Sequence, residues 1–435
     1  MRLFLKSIIV ACVTLAIFIA LLMIGGVIND RQRYRAEAVA DIARSYAGEQ
    51  SFAGPVLVVP YTQVEEVEET DANNIVRKAW REKTHYWTFF PTTLDIDGPM
   101  VPSTRKRGMH EVRVYEWRGN AKARFEAKIP DDAPADSQRR IGQPWLSYGI
   151  ADVRGLRAPP QLRVNQQALA VEEGMGSRDG SGLHARLAAP TAGQTLALDT
   201  ELDFLLGGTE SLSLAPLGKT NRFTLTSTWR HPSFSGTSPS QEIGPSGFDA
   251  RWQIASVATN AQRQYLDGDE SPDAVGVSLI DPVDVYTQAD RATKYGLLFV
   301  VLTFAGFFMF ELIKQLPIHP IQYGLVGLAL AIFFLLLVSL SEHFDFRWAY
   351  LAASVACIGL LGFYLSAVLR SVGRGLGFAV MLATLYAALY GLLVSEDNAL
   401  VLGSGLLFLV LATIMVVTRR IDWYQLAGTR TAARE

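Results

Sequence analysis

Four polar residues beside long apolar segments are the best candidates for chemistry in this sequence. Glu342 and His343 follow one apolar segment, and Glu396 and Asp397 follow another. If folding brings these residues together, carboxylates beside a histidine could hold a proton or a cation. The alternative is that they end helices and meet water or lipid headgroups, because a charge in such a segment is a functional hypothesis by default only near its middle. We favour the second interpretation, keep the four residues as a candidate polar cluster on the periplasmic face, and predict no catalytic residue.

Other motifs that could carry chemistry are incomplete. The segment His110–Val114 begins like the zinc-binding HExxH motif, but it lacks the second histidine and alternates like a strand. Ser233 near His231 could be half of a hydrolase pair, although Pro232 and Gly236 favour a turn. The sequence contains neither a G-x-S-x-G nucleophile elbow nor a phosphate-binding P-loop. We expect no enzyme activity, no cofactor and no metal site.

One acidic run could bind a cation. It spans Glu65 to Asp71. Alternating carboxylates without a glycine turn or a ladder of Asn and Asp residues do not define a calcium site. We therefore predict that the run is a solvated loop between strands.

Long apolar segments must position the four polar residues. A helix of about 20 residues crosses a hydrocarbon core of about 30 Å. Five segments are uncharged and reach that length: Ser7–Ile28, Ile321–Ser341, Trp348–Leu369, Gly375–Ser395 and Asn398–Thr418. Tyr295–Ile313 is a sixth candidate, because Glu311 and Lys314 lie where side chains can extend to the headgroups. The first segment has an apolar region of about 22 residues, too long for a cleaved signal peptide, so we predict an uncleaved anchor.

Basic residues in the short connections predict the orientation of these six spans. They are Arg2, Lys6, Lys314, Arg370, Arg374, Arg419, Arg420, Arg430 and Arg434. The positive-inside rule places the corresponding faces, and both termini, in the cytoplasm. The interval between the first two spans then lies outside, which in a two-membrane bacterium is the periplasm.

That interval has the pattern of a β-rich domain. The runs Gly54–Tyr61, Leu196–Leu206, Ser211–Leu214 and Arg222–Trp229 are strand candidates, separated in part by glycine pairs and by Pro216–Gly218. Alternation in Glu111–Trp117 and again in Lys122–Lys128 predicts a hairpin that turns at Arg118–Asn120. We expect an antiparallel sandwich, either one elongated body or two smaller ones, with Pro130–Gln138 as a linker or a long loop.

These patterns give the domain organisation. The predicted fold is a multi-pass α-helical membrane protein of six spans with a large, sandwich-like periplasmic domain between spans one and two. The predicted parts are a cytoplasmic tip and anchor (1–28), the β-rich domain (29–294, with a helical start at about 31–47), a five-helix bundle (295–418) and a basic cytoplasmic tail (419–435). Cys12 and Cys357 both lie in apolar spans, so the β-rich domain has no disulfide. The net charge of −2 indicates no nucleic-acid partner.

Seven segments resemble a known family. They are Gly54–Tyr61, Trp229–Gly236, Gly276–Tyr286, Arg291–Phe304, His319–Leu330, Ser339–Phe344 and Glu396–Leu400. They are similar to the characteristic segments of the CreD family, bacterial inner-membrane proteins linked to cell-envelope integrity. The resemblance extends over nearly the whole chain. It implies a role in envelope stress and in the β-lactam response, with expression controlled by a sensor kinase and its response regulator, and it implies no catalytic residue.

Three classes of function fit this sequence. The favoured class is a non-enzymatic envelope protein whose periplasmic domain binds an envelope component or a partner protein, while its helices contact the lipid bilayer. The second is a transporter or flippase of lipid or cell-wall material, which would need polar sites within the membrane or a lateral groove. The third is a periplasmic hydrolase, which would need a nucleophile beside a base.

Overall fold

The computed structural model describes residues 2–70, 76–108, 110–133, 139–176, 180–269, 272–279, 285–314, 318–395 and 399–419. The chain divides into two compact units. The first unit consists of Met1–Tyr34 and Val283–Glu435, and the second consists of Arg35–Pro282. We call them the helical unit and the β unit.

The described residues contain seven helices. They are α1 (Arg2–Ser45), α2 (Ala261–Asp267), α3 (Val285–Lys314), α4 (Pro320–Ser341), α5 (Phe346–Val368), α6 (Val372–Val394) and α7 (Ala399–Thr418). All except α2 are strongly apolar over most of their length. α1 continues without interruption to Ser45 and so includes most of the range 31–47.

Five helices among the described residues are long and apolar enough to cross a membrane. They are Ile8–Ser45, Thr287–Met309, Pro320–Ser341, Phe346–Val368 and Val372–Val394. Within α7, the apolar stretch Val401–Thr413 is shorter than these five helices. The multi-pass helical character is confirmed, and the count of six spans stays a prediction.

Aromatic side chains fill the core of the helical unit. Tyr386 of α6 lies 4.6 Å, between ring centroids, from both Phe299 of α3 and Phe333 of α4. Tyr350 of α5 donates a hydrogen bond to the backbone carbonyl of Tyr386 over 2.7 Å. Because one aromatic ring contacts two helices and its backbone binds a third, α3 to α6 form one packed group.

Seventeen strands are present among the described residues, and all belong to the β unit. They are β1 (Gln50–Thr70), β2 (Val76–Phe89), β3 (Thr93–Arg107), β4 (His110–Lys128), β5 (Arg140–Ile141), β6 (Trp145–Ile150), β7 (Gln161–Val164), β8 (Gln167–Leu169), β9 (Glu172–Glu173), β10 (Gly182–Arg186), β11 (Thr195–Thr209), β12 (Ser211–Ala215), β13 (Thr220–Ser227), β14 (Pro232–Ser235), β15 (Ser240–Gly244), β16 (Gly247–Ala255) and β17 (Val275–Leu279).

The strands form two sheets around one principal core. Sheet A has the order β14-β17-β12-β1-β6-β10-β9, with β2 and β5 also paired to β1. Sheet B has the order β15-β16-β13-β3-β4-β11-β7-β8. Phe52 of sheet A stacks on Phe204 of sheet B with ring centroids 5.1 Å apart, and it meets Trp117 edge-on at 6.0 Å. The sheets therefore share one apolar layer, as in a single sandwich.

Two strand pairings depart from the predicted antiparallel sandwich. β1 pairs with β12 in parallel, and β13 pairs with β3 in parallel. The other pairings are antiparallel, as at β3 with β4 and β4 with β11. Parallel neighbours are distant in sequence, so local alternation does not reveal them.

The predicted hairpin at Arg118–Asn120 was wrong. β4 runs through these residues as one strand, and Gly119 is paired with Phe204 of β11. A Cβ atom on Gly119 would lie 2.5 Å from the ring of Phe204. The glycine is therefore needed for packing across the sheet rather than for a turn. Gly207 and Gly208 likewise lie within β11 rather than in a turn.

The acidic run is not a loop. Residues Glu65–Thr70 form the end of β1 and pair with β2, from Glu65 opposite Arg81 to Thr70 opposite Val76. Asp71 lies outside the described residues. The backbone register sets Glu65 opposite Arg81, and this partner strand is not visible from the acidic run alone.

The end of α1 packs within the β unit. Ile42 and Tyr46 are buried against Val112 and Val114 of β4. The guanidinium carbon of Arg157 lies 3.9 Å from the ring centroid of Tyr46. These apolar and cation–π contacts fix the last turn of α1 on sheet B.

Candidate functional site

The structure places two of the four predicted polar residues at the end of α4. Glu342 directly follows α4, and its Oε1 lies 3.0 Å from Nε of Arg31 in α1. The side chain of Glu342 is only 10% exposed. The backbone N–H of His343 donates to the carbonyl of Leu340, and the residue is exposed. Glu342 is thus held in an ion pair that joins α1 to α4.

Glu396 and Asp397 lie outside the described residues. Whether they approach Glu342 and His343 therefore stays a prediction. Sequence reasoning missed Arg31 as the partner of Glu342. The signal was available, because Arg31 lies three residues after the first apolar segment and so near the end of the first predicted span.

The other sequence motifs lie in ordinary strands. His110 is the first residue of β4, and Ser233 lies in β14. Trp229 donates its indole N–H to the carbonyl of His231 over 2.8 Å, and Gly236 has a φ of +75° that suits a glycine turn. Among the described residues, no group of three or more His, Cys, Asp or Glu side chains could hold a metal ion.

One serine and one histidine in sheet A are direct cross-strand partners. They are Ser147 of β6 and His184 of β10. The Ser147 hydroxyl donates to the carbonyl of Met175 over 3.1 Å. The two ring nitrogens of His184 lie 2.9 Å from the carbonyl of Gly174 and 3.4 Å from a carboxylate oxygen of Glu172. Because both nitrogens have other partners, His184 is not arranged as a base for Ser147.

The most distinctive surface of the β unit is a two-stranded ribbon, which we call the arm. It consists of residues 63–70 of β1 and 76–83 of β2. The other strands that pair with β1 do so only up to Thr62. At about 3.3 Å per residue, the arm extends for roughly 25 Å.

Residues 80–83 of β2 leave both faces of the arm open along that stretch. Trp80, Arg81, Glu82, Lys83 and Thr84 are consecutive and all exposed. Successive side chains of a strand point to opposite faces, so an unbroken exposed run means that neither face is covered. The side chain of Trp80 is 70% exposed. A large exposed aromatic on an uncovered ribbon is typical of an interaction surface.

The two strands of the arm carry opposite charges. The β1 strand contributes Glu65, Glu66, Glu68 and Glu69, and the β2 strand contributes Arg77, Lys78, Arg81 and Lys83. The backbone register sets Glu65 opposite Arg81 and Glu68 opposite Lys78. The β1 strand of the arm is therefore acidic, and the β2 strand is mainly basic, with Glu82 as its one carboxylate. Charged edges protect a sheet from unselective pairing with other strands.

Aromatic side chains form a collar where the arm joins the sandwich. The ring of Tyr61 stacks on Trp87 with centroids 4.1 Å apart and on His85 at 5.3 Å. Nε2 of His85 lies 2.8 Å from Oε1 of Glu65. Tyr61 and His85 are direct cross-strand partners, so the stack joins the two strands at the base of the arm.

Arg139 completes the collar. Its guanidinium carbon lies 5.1 Å from the ring centroid of Tyr61, and it donates to the side-chain oxygen of Gln63. A second interaction joins it to the carboxylate of Asp132 at 2.6 Å, which lowers the pKa of that carboxyl group. The base of the arm is therefore held by stacking and charge.

Comparison with known proteins identifies the family. The family model described as inner membrane protein CreD matches residues 2–424. Inner membrane protein CreD of Escherichia coli (strain K12) is 37% identical over 418 residues, which cover 94% of this chain and 91% of that protein. The match therefore includes both the helical unit and the β unit. The chain belongs to the CreD family of inner membrane proteins.

Proposed function

We propose that this inner-membrane protein supports cell-envelope integrity under stress without being an enzyme, and that its β unit binds a partner protein or another envelope component through the arm. The observation that carries the proposal is the two-stranded ribbon with its exposed run Trp80–Lys83, in which the Trp80 side chain is 70% exposed. The family resemblance supports the envelope role and a link to a two-component sensor system.

The physical argument for a binding arm rests on the low stability of a two-stranded ribbon by itself. A two-stranded hairpin is at best marginally stable in water, and it gains stability when another surface covers it. Tryptophan and arginine are enriched where partners bind, and open strand edges accept a further strand. The acidic and basic edges of the arm would select a partner strand of the opposite charge.

We also propose that both termini are cytoplasmic and that the β unit is periplasmic. The basic residues of the short connections support this orientation. Contacts within the helical unit agree with it. Arg31, after the first span, pairs with Glu342 at the end of α4, so these two ends lie on one side. Tyr323, early in α4, donates to Glu311, late in α3, over 2.9 Å.

Removal of the arm tests the proposal. Gln63 and Lys83 are register partners, so replacing residues 64–82 by Asn-Gly closes the ribbon with a short turn. We expect this variant to reach the membrane at the normal level and to lose complementation of an envelope-stress defect. A photo-crosslinking residue at Trp80 should capture a partner in cells. The same residue at Val257, which is 95% exposed outside the arm, should not.

Full complementation by the armless variant, or equal crosslinking from Val257, would contradict a binding role for the arm. Loss of complementation together with loss of protein from the membrane would be explained by misfolding. Replacement of Trp80 by Ser, which keeps the ribbon, resolves that outcome. The proposal requires that Trp80→Ser weakens capture by a crosslinker placed at Glu82.

A transporter or flippase of lipid or cell-wall material is the second candidate. Two grooves on the lateral surface of the helical unit favour it. One of about 340 Å³ lies between α4 and α5, and one of about 630 Å³ lies between α5 and α6. A periplasmic hydrolase is the least favoured class, because the partners of Ser147 and His184 do not support nucleophilic catalysis.

A further inference from the structure

The groove between α5 and α6 combines an apolar surface with a cation at one end. Its volume is about 630 Å³, within the range of small-molecule sites in proteins. Leu351, Val355 and Ala387 line it and are exposed, so the groove opens to the side of the helical unit. Among the described residues that line it, Arg347 is the one that carries a charge.

The charged end of the groove lies at the start of a helix. Arg347 is the second residue of α5, and Trp348 is the third. The start of a helix carries the positive end of its dipole, which favours an anion. Trp348 is 64% exposed. A tryptophan beside a basic residue at a span end is typical of the headgroup level of a membrane.

The floor of the groove is rigid. Tyr350 donates to the carbonyl of Tyr386 over 2.7 Å, and Tyr386 donates to the Cys357 sulfur over 3.1 Å. Tyr350 also packs on Tyr390 with ring centroids 5.1 Å apart. These contacts hold the tyrosines that line the groove, so it is formed before any ligand binds. A preformed site avoids the entropic cost of ordering side chains on binding.

The groove on the other side of α5 provides a comparison. It lies against α4, measures about 340 Å³, and its described lining residues include Leu325, Ala356 and Leu360. Its described lining contains no charged residue. Hydrocarbon chains of the bilayer can fill either groove, but only the α5–α6 groove offers a cation to a headgroup.

We propose that the α5–α6 groove is a binding site for one anionic glycerophospholipid of the surrounding bilayer. Its phosphate pairs with Arg347 at the start of α5, and one acyl chain lies along Leu351, Val355 and Ala387. Guanidinium and phosphate form charge-assisted hydrogen bonds that are stronger than neutral ones. The aromatic floor and the small Ala387 leave room for the chain.

Native mass spectrometry of the full-length protein, purified in mild detergent, tests this site. The probe is phosphatidylglycerol, added at equal concentration to each variant, with phosphatidylethanolamine as the zwitterionic comparison. We expect one phosphatidylglycerol per chain to bind in preference to phosphatidylethanolamine. Arg347→Gln should weaken binding about tenfold, the effect of losing one charged hydrogen bond. Arg347→Lys should retain part of the affinity.

Filling the two grooves separately gives the matched control. Ala387→Leu places a larger side chain in the α5–α6 groove, and Ala356→Leu does the same in the α4–α5 groove. Only Ala387→Leu should prevent the binding of phosphatidylglycerol. The site is refuted if Arg347→Gln and Ala387→Leu bind phosphatidylglycerol like the parent, if Ala356→Leu weakens binding equally, or if phosphatidylethanolamine binds as tightly.

Discussion

Glu210 shows how burial changes the titration of a single side chain. It lies between β11 and β12, where it is half-buried, and its φ is +60°. Burial raises the pKa of Glu210, Arg35 opposes this effect, and Glu49 adds to it. The folded protein therefore holds the proton of Glu210 more tightly than the unfolded chain does. The ionised form of this side chain disfavours folding.

We predict that Glu210→Gln stabilises the protein at neutral pH. The gain should be below about 1 kcal/mol, because solvent screens a half-buried charge. As the pH falls through the raised pKa, the parent takes up the proton first in the folded state. The difference in unfolding free energy between the parent and Glu210→Gln should therefore disappear by about pH 4. Thermal unfolding of both proteins at a series of pH values measures this difference. A difference that grows on acidification would contradict the argument.

At the scale of elements, Gly119 determines whether β4 and β11 can pair closely. Its partner Phe204 packs edge-on against Trp117 with ring centroids 5.0 Å apart. We predict that Gly119→Ala destabilises the β unit by about 1–3 kcal/mol, because the added methyl displaces a buried ring. The loss should be measurable by chemical unfolding followed through tryptophan fluorescence.

Gly244→Ala is the control for that substitution. Gly244 also lies in a strand, β15, but no atom lies within 4 Å of the added Cβ position. We expect Gly244→Ala to change the free energy of unfolding very little. Equal destabilisation by both variants would indicate a general effect of glycine in strands rather than the contact with Phe204.

The helices were easier to predict than the strands for a physical reason. A span such as Ile321–Ser341 is set by its own composition, because the hydrocarbon core demands length and apolarity from one continuous segment. The strands depend on distant partners. Arg118–Asn120 has the composition of a turn, and only Phe204 reveals why Gly119 lies in a strand.

The candidate site was less accessible to sequence reasoning. The acidic run Glu65–Asp71 looks solvated by itself, and its meaning as one edge of the arm depends on the basic strand opposite. The groove between α5 and α6 requires the packing of two helices. In the sequence, Arg347 is one basic residue in a short connection that also carries Glu342 and Asp345.

At the scale of the whole molecule, the orientation of the chain is directly testable. We predict that alkaline phosphatase is active when fused after Gly142 or Asp345, and inactive when fused after Arg374 or Arg420, because the basic connections stay in the cytoplasm. Enzyme activity divided by the amount of fusion protein provides the measurement. Activity from the Arg374 fusion would overturn the proposed orientation.

The parallel pairing of β1 with β12 sets the order in which the β unit can fold. Gln50 must meet Leu212, and β12 must in turn meet β17, which ends shortly before α3. During synthesis β1 is available long before either partner, so closure of sheet A is a late and slow event. Until Val275–Leu279 emerges, one edge of β12 stays open to wrong pairing. We therefore expect sheet A to be completed only after Val275–Leu279 has been synthesised.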